Sequence, residues 1–326
     1  MNTPLRFAFR SILLVVVVSA AAFVVHLFSF GVSATDTDLD HQRNFNDSYK
    51  IFSLTLPSDL SLCGEPVPLQ KLDVRERLDR ELLVNTYWQS NSLLAHKRAA
   101  RWFPVIEPIL AREGVPDDMK YLALIESGLT NVVSPMGATG FWQFMKETGI
   151  QHALEVNGEV DERYNVVKST EAACRYLKNG YADYGSWAMA AASYNLGPGG
   201  VEKQMDRQNT KDYFSLQLPE ETSRYAFRLL AMKEIINDPE RYGFHIRKKD
   251  LYAPYHTRDV EVTGPIENIA EWSMRQGTDY RTVKLLNPWL RDNKLTNAKG
   301  KAYTLLLPAN DFNQAVTSED RPATCP

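Results

Sequence analysis

Residues 121–145 read YLALIESGLTNVVSPMGATGFWQFM, and this stretch guides the interpretation of the whole chain. It opens as an apolar helical run that delivers one carboxylate, Glu126. Gly128 follows closely, at a position where glycine commonly ends a helix. A loop rich in Gly, Pro, Ser and Thr then leads to a second element near Thr139, which carries an aromatic segment. The pattern predicts a single acid at a helix end, facing a loop and an aromatic segment.

The composition is that of an ordinary folded protein of 326 residues, with 44% hydrophobic and 24% charged residues. This length holds one large domain or two. The formal net charge is -3 and no basic stripe occurs, which argues against nucleic acid as a partner. The histidines and cysteines show no metal-binding spacing, so we expect neither a metal nor another cofactor. Cys63, Cys174 and Cys325 allow one disulfide in an exported protein, and Cys174 is predicted to be buried.

The N-terminal 34 residues have the pattern of an export signal. Arg6 and Arg10 precede an apolar run at residues 12–30, and a small-x-small sequence follows at residues 32–34. The run is nearly long enough to span a bilayer, so it is either a cleaved signal peptide or a retained membrane anchor. In both cases the body of the chain is predicted to be exported to the periplasm.

The rest of the chain falls into four segments. Residues 35–70 are polar and contain several prolines, which predicts a linker followed by an extended segment on the domain surface. Residues 71–248 show one helical pattern after another, with a break or kink predicted at Pro104 and Pro108. Residues 257–309 read as a β-α-α-β unit, and residues 310–326 as a disordered tail. The predicted fold class is mainly α, with a small C-terminal module.

Glu126 is the one acid in the central stretch, and its surroundings suit proton transfer. A carboxylic acid donates a proton near neutral pH only if its pKa is raised. The negative end of its helix contributes roughly 0.3–1 kcal/mol in that direction. Burial among neighbouring apolar side chains adds as much as about 3–5 pKa units, so burial decides. From the pattern alone, Glu126 is either such an acid, as in the cleavage of a saccharide, or a structural residue that pairs with a basic side chain or caps an element.

Four short motifs occur in a fixed order along the helical region, and together they resemble the lytic transglycosylases with a soluble-transglycosylase catalytic domain. The resemblance covers about Leu72 to Pro239 and implies a goose-lysozyme-like helical fold. The C-terminal unit resembles a LysM module that lacks the usual Gly-Asp-Thr/Ser turn, which leaves glycan binding and packing both open as its role. The four motifs are Glu126-Ser127, Gly140–Met145, Ala192–Gly197, and Pro219–Thr222 followed by Tyr225.

The resemblance implies a role for each matched residue. Glu126 is the catalytic acid and then the base, and Ser127 fixes the local geometry. The other matched positions bind or border the glycan. Ser134 places a hydroxyl near the reacting sugar, Gln143 and Met145 line the groove, Tyr194 and Asn195 contact the glycan, and Tyr225 packs near the acid. The loop lacks the family's Asn-Pro pair and carries bulky Phe141-Trp142, which puts the subsite preference in question.

The family cleaves the bond from N-acetylmuramic acid to N-acetylglucosamine in peptidoglycan glycan strands and leaves a 1,6-anhydro end. The resemblance therefore implies this reaction, without a cofactor. Two alternatives stay open: a hydrolytic muramidase acting on the same bond, and a non-catalytic cell-wall-binding scaffold. The muramidase needs a second carboxylate on the far face of the sugar, for which the sequence offers Asp161, Glu162, Glu220 and Glu221.

Overall fold

The computed structural model describes residues 50–312 together with Arg43, Asn46 and Asp47. The predicted export signal and residues 313–326 of the predicted tail lie outside the described residues. The chain divides into two compact units, Met1–Ser53 and Leu54–Pro326. In the first unit Arg43, Asn46 and Asp47 are helical and residues 50–53 have no regular structure. No helix within the described part of the chain is both long and apolar enough to cross a membrane.

The second unit confirms the predicted fold class, because helices dominate it and the strands form only two-stranded sheets. The described residues of this unit form ten α-helices and four strands. The helices are α1 (Leu72–Tyr87), α2 (Gln89–Glu113), α3 (Lys120–Ser127), α4 (Lys146–Gln151), α5 (Val166–Tyr184), α6 (Trp187–Leu196), α7 (Pro198–Gln208), α8 (Glu220–Asn237), α9 (Ile269–Arg275) and α10 (Tyr280–Leu286). The strands are β1 (Ser61–Leu62), β2 (Glu65–Pro66), β3 (Thr257–Val262) and β4 (Tyr303–Pro308).

Helix α3 lies in the main hydrophobic core, and its burial fixes the position of its last turn. Tyr121, Leu122, Ala123 and Leu124 are all buried, between α2 on one side and α8 on the other. Gly128 adopts a φ of +60° and ends the helix, as predicted, because its backbone occupies the left-handed region at no steric cost. The core therefore holds the helix while its C-terminal end stays near the surface.

Helix α2 runs through Pro104 and Pro108 without interruption, so the predicted break is wrong, and a kink at these prolines stays a prediction. The two prolines are four residues apart and lie on the exposed face, while Phe103 and Ile106 are buried. Each proline removes one helical N–H donor. A carbonyl on the exposed face is accessible to water after it loses its helical partner, and packing of the buried face stabilises the helix.

The segment before α1 is more deeply embedded than the predicted surface segment. Strands β1 and β2 form an antiparallel hairpin, and Leu62 is 1% exposed. Its turn is Cys63-Gly64, with φ values of +55° and +82°, which is the conformation of a two-residue hairpin turn. The Cys63 N–H donates to an Asp118 carboxylate oxygen at 2.6 Å. This hairpin thus completes the core instead of lying on it.

The C-terminal module has the predicted β-α-α-β order and a hydrophobic core of its own. Strands β3 and β4 pair antiparallel from Thr257 opposite Pro308 to Val262 opposite Tyr303. Residues 310–312, at the start of the predicted tail, form a turn in which Phe312 stacks on Tyr255.

Residues 155–163 of the helical region, here called the docking segment, join this module to the rest of the unit. Val160 is 1% exposed and packs inside the core of the module. The Asp161 N–H donates to the Trp289 carbonyl at 2.9 Å, and the Arg291 N–H donates to the Glu159 carbonyl at 2.7 Å. The module therefore packs on the helical region through both backbone and side-chain contacts.

Candidate active site

Glu126 is the penultimate residue of α3, and its carboxylate accepts a hydrogen bond from the Tyr225 hydroxyl of α8. Burial raises the pKa of Glu126 above its usual value of 4.5. The Tyr225 hydrogen bond and the Arg228 charge lower this pKa in part, and the Glu221 charge raises it further. No Lys or Arg forms an ion pair with Glu126 among the described residues. The geometry therefore favours a proton-donating acid over the alternative of a salt-bridged glutamate.

Arg228 is a neighbour of the acid that the sequence analysis missed. Its guanidinium Nη2 donates to the Ile125 carbonyl at 2.8 Å, next to Glu126 in the chain. Its charge also reaches Glu126, whose pKa it lowers. Its position in the sequence could have identified it, because Arg228 follows Tyr225 by three residues and this spacing places both side chains on one face of the helix.

Ser127 lies where the last turn of α3 meets the aromatic segment. Its hydroxyl is 3.0 Å from the Ala123 carbonyl and 2.9 Å from the Phe141 carbonyl. Since a hydroxyl has one proton, these two acceptors share it. The second contact crosses from α3 to the loop, so Ser127 connects the acid's helix to the loop that faces it.

The loop between α3 and α4 closes on itself through backbone bonds. The predicted element near Thr139 is a tight turn, with Thr139 bridging to both Val133 and Phe144. The Ser134 N–H donates to the Ala138 carbonyl at 2.8 Å, and the Ala138 N–H donates to the Ser134 hydroxyl at 3.0 Å. Ser134 therefore shapes the loop and keeps a hydroxyl proton for a further acceptor.

Gln143 has a φ of +48°, a conformation that is rare for residues other than glycine. Its side-chain amide donates to the Val132 carbonyl at 3.1 Å and to the Gly140 carbonyl at 2.8 Å. The amide N–H groups thus hold the loop, and only the side-chain oxygen is left for a sugar. Met145, two residues later, is 39% exposed and lies just before α4, where it is accessible to a ligand.

Arg163 supports this loop from behind, a role that the sequence analysis did not assign. It pairs with Asp161 at 2.8 Å, and both side chains are about nine-tenths buried. Its Nη1 donates to the Gly137 carbonyl at 3.2 Å and to the Phe144 carbonyl at 3.1 Å. A Cβ atom at Gly140 would lie 2.0 Å from the Arg163 carbonyl oxygen, so only glycine allows this approach. The docking segment thus fixes the backbone of the active-site loop.

Tyr194 and Asn195 lie at the end of α6. The Tyr194 hydroxyl donates to the Trp142 carbonyl at 2.6 Å. Burial, with the charge of Glu126 second, raises the pKa of Tyr194 well above its usual value, so Tyr194 stays protonated beside the acid. The Asn195 side-chain oxygen accepts from the Thr222 hydroxyl at 2.7 Å, which joins α6 to the start of α8.

The four candidate second carboxylates have different surroundings. Asp161 pairs with Arg163, and Glu162 accepts from the Glu155 N–H at 2.8 Å, so both belong to the docking segment. Glu220 is exposed and lies 3.8 Å from Arg224. Glu221 is the one of the four whose charge acts on Glu126. Among these four, Glu221 is therefore the remaining candidate for the second carboxylate of a hydrolytic mechanism.

The cysteines and the candidate metal ligands add nothing to the site. Cys63 and Cys174 are free, Cys174 is fully buried as predicted, and Cys325 lies outside the described residues. Across residues 50–312, no group of three or more His, Cys, Asp or Glu side chains is arranged to hold a metal ion.

Comparison with known proteins supports both domain resemblances. Residues 104–217 match the family model of the transglycosylase SLT domain, which includes Glu126 and the loop that faces it. Residues 258–311 match the model of the soluble lytic transglycosylase C-terminal LysM-like domain. These matches confirm the two resemblances inferred from the motifs.

Two curated relatives also match, both named membrane-bound lytic murein transglycosylase D. One is from Escherichia coli strain K12 and the other from Escherichia coli O6:H1, strain CFT073. Each is 28% identical over 240 residues, which is 72% of this chain and 51% of the relative. The chain thus spans about half the length of the curated relatives it matches.

Proposed function

We propose that this chain is a lytic transglycosylase that cleaves peptidoglycan glycan strands, with Glu126 as its acid and base. The observation that carries the proposal is a glutamate at the end of α3 whose pKa is raised by burial and whose carboxylate accepts a bond from Tyr225. The transglycosylase SLT domain match and the two lytic transglycosylase relatives support the same reaction.

In the proposed reaction Glu126 donates its proton to the oxygen of the bond that joins N-acetylmuramic acid to N-acetylglucosamine. As the bond from C1 to this oxygen breaks, the muramyl C6 hydroxyl attacks C1. The carboxylate of Glu126 takes the hydroxyl proton, and a 1,6-anhydro end forms. The 2-acetamido group stabilises the developing charge, so no carboxylate nucleophile is required.

The surrounding groups support these steps. Tyr225 and Arg228 keep the carboxylate from becoming so basic that it fails to release its proton. Tyr194 stays neutral beside Glu126, which suits contact with a sugar. Ser134 offers a hydroxyl, and Met145 an apolar surface, along the loop that faces the acid.

The hydrolytic muramidase is the second candidate, and the position of Glu221 is the observation that favours it. Glu221 lies one turn before Tyr225 on α8, and its charge acts on Glu126. In that reaction Glu221 would activate water on the face of the sugar opposite the acid. A non-catalytic scaffold has no need of an acid with a raised pKa, so the site argues against that role.

The test is mass spectrometry of the fragments released from purified sacculi by the wild type and by Glu126→Gln. We expect fragments ending in 1,6-anhydromuramic acid, and we expect their loss in Glu126→Gln. Glu147→Gln is the control, since it makes the same change on an exposed residue of α4. Reducing ends with an added water would instead establish the muramidase, and no release by the wild type would favour the scaffold.

We further infer that the chain is exported and works in the periplasm, because its proposed substrate lies there. The proposed export signal is residues 1–34, with residues 12–30 as either the signal core or a membrane anchor. Fractionation of cells expressing the full chain, followed by N-terminal sequencing, distinguishes a cleaved signal from an anchor.

A further inference from the structure

A cavity of about 680 Å³ lies between α1, the start of α2, the end of α3 and the start of α8. Ile125 and Gly128 belong to its wall, and both are close neighbours of Glu126 in the chain. Glu126 itself is not among the lining residues. The cavity therefore adjoins the acid without containing it, and its volume falls in the range of small-molecule sites.

Two guanidinium groups in the wall, those of Arg98 and Arg228, form no ion pair within the described part of the chain, although the Arg228 charge acts on Glu126 from a greater distance. Arg98 donates one N–H to the Gly128 carbonyl at 3.1 Å, and Arg228 donates one to the Ile125 carbonyl at 2.8 Å. No Asp or Glu among the described residues lies within ion-pair distance of either group. Since a guanidinium carries five N–H donors, both keep donors and a full positive charge for a ligand.

The third arginine of the wall behaves differently. Arg224 donates to both oxygens of Glu81, at 2.7 and 3.3 Å, and Glu81 is 1% exposed. Glu81 also pairs with Arg80, and Glu220 lies 3.8 Å from Arg224, so these two arginines and two glutamates balance in charge and fix part of the wall. The free positive charge of the cavity is therefore located at its α3 end, on Arg98 and Arg228.

The remaining lining limits the kind of anion that fits. Glu220 and Glu221 stand at the α8 end, where their negative charge repels a polyanion. Leu124 and Met232 supply apolar surface, and Trp88, which is 60% exposed, supplies an aromatic one. A ligand with one or two carboxylates on a partly apolar backbone satisfies these conditions.

We propose that this cavity binds the carboxylates of the peptide substituent that the muramic acid residues carry, with Arg98 and Arg228 as the recognising groups. The proposal rests on the proposed function, because it identifies the part of a peptidoglycan strand that lies beside the cleaved bond. Planar guanidinium groups match carboxylates with paired hydrogen bonds, which explains the use of arginine here. Recognition of this kind makes a peptide-bearing strand a better substrate than a strand with neutral substituents.

Binding is measured by calorimetry with the Glu126→Gln full-length chain, so that the ligand is not cleaved. The two probes are a disaccharide dipeptide fragment with free peptide carboxylates and the same fragment with those carboxylates amidated. We expect the free acid to bind about tenfold more tightly, since a charge-assisted hydrogen bond of this type is lost in the amide. Equal affinity for the two probes, or no binding of either, would overturn the proposal.

Arg98→Gln, added to Glu126→Gln, identifies the residue responsible. We expect it to remove most of the preference for the free acid, and Arg98→Lys to retain part of it because the charge remains. Arg75→Gln is the matched control, since Arg75 is exposed on α1 outside the cavity. A preference that survives Arg98→Gln unchanged, or that Arg75→Gln reduces equally, argues against the assignment.

The binding measurement and the fragment analysis test the two proposals independently of each other. If the free acid binds more tightly but no 1,6-anhydro products form, the proposed role of the cavity stands and the proposed reaction is refuted. If 1,6-anhydro products form but the two probes bind equally, the proposed reaction stands and the proposed role of the cavity is refuted.

Discussion

Removing the Tyr225 hydroxyl tests whether the hydrogen bond to Glu126 tunes the acid. In the structure this hydroxyl donates to the Glu126 carboxylate and opposes the effect of burial on its pKa. A hydrogen bond to a charged acceptor contributes about 1.5–3 kcal/mol. Because this bond stabilises the charged form of the carboxylate, Tyr225→Phe should raise the pKa of Glu126 further.

The raised pKa has a defined effect on the pH profile. The first step needs protonated Glu126, so kcat/KM falls as pH rises through its pKa in the free enzyme. Tyr225→Phe should therefore move the alkaline limb of kcat/KM to higher pH. The maximum should also decrease, because a weaker acid releases its proton less readily.

The assay is release of soluble fragments from peptidoglycan at pH values on both sides of the optimum. Tyr242→Phe is the control, because the Tyr242 hydroxyl is buried without a hydrogen-bond partner among the described residues. Its profile should match that of the wild type. An unshifted alkaline limb in Tyr225→Phe, or the same shift in Tyr242→Phe, would refute the reasoning.

Three further predictions concern the acid and its supports. Burial raises the pKa of Glu126 above 4.5, so its stabilising contribution is present below the unfolded-state pKa and is lost as pH rises through the folded-state pKa. Glu126→Gln should thus be more stable than the wild type at neutral pH and lose this advantage near pH 4.5. Urea denaturation at several pH values measures the difference in the free energy of unfolding. A difference that does not change with pH would contradict this prediction. Val160→Ala removes two buried methyl groups, so it should cost about 1–3 kcal/mol of stability and lower kcat/KM by loosening the active-site loop. Val283→Ala, in the same small core, should affect stability only. Glu221→Gln should move the alkaline limb of kcat/KM to lower pH while activity persists, because it removes a charge that raises the pKa of Glu126. A loss of kcat/KM of more than about 100-fold would instead identify Glu221 as the base of a hydrolytic reaction.

The position of Glu126 at a buried helix end was predictable from the sequence because its signals are local. The apolar run before Glu126, and Gly128 after it, specify a buried helix that ends beside the carboxylate. Burial then raises the pKa, as the sequence predicted. Local patterns also gave most of the helices, since these depend on periodicity within a few turns.

The continuity of α2 was not predictable in the same way. A proline pattern shows which N–H donors are missing, but not which face of the helix meets water. Pro104 and Pro108 are tolerated because the buried residues lie on the other face. Only the packed structure shows which face that is.

The support of the active-site loop depends on contacts between distant parts of the chain. Arg163 reaches Gly137 and Phe144, and Val160 packs inside the C-terminal module. The Thr296 hydroxyl donates to Glu159, 137 residues away in the chain. No periodicity or motif spacing encodes such pairs, so the sequence left open whether the LysM-like module binds glycan or packs.

The two unpaired arginines connect the cavity to the acid, and this connection has a testable consequence. Arg228 is anchored on the Ile125 carbonyl, next to Glu126, and Arg98 on the Gly128 carbonyl, two residues after it. The charge of Arg228 lowers the pKa of Glu126. A carboxylate bound to Arg228 would neutralise this charge and so raise the pKa of Glu126 in the complex.

Because kcat reports the enzyme–substrate complex, its alkaline limb should lie at higher pH for substrates with free peptide carboxylates than for their amides. The kcat/KM limb reports the free enzyme and should be the same for both substrates. If the kcat limbs also coincide, the bound peptide does not act on the acid. If they separate, substrate binding itself keeps Glu126 protonated for the first proton transfer.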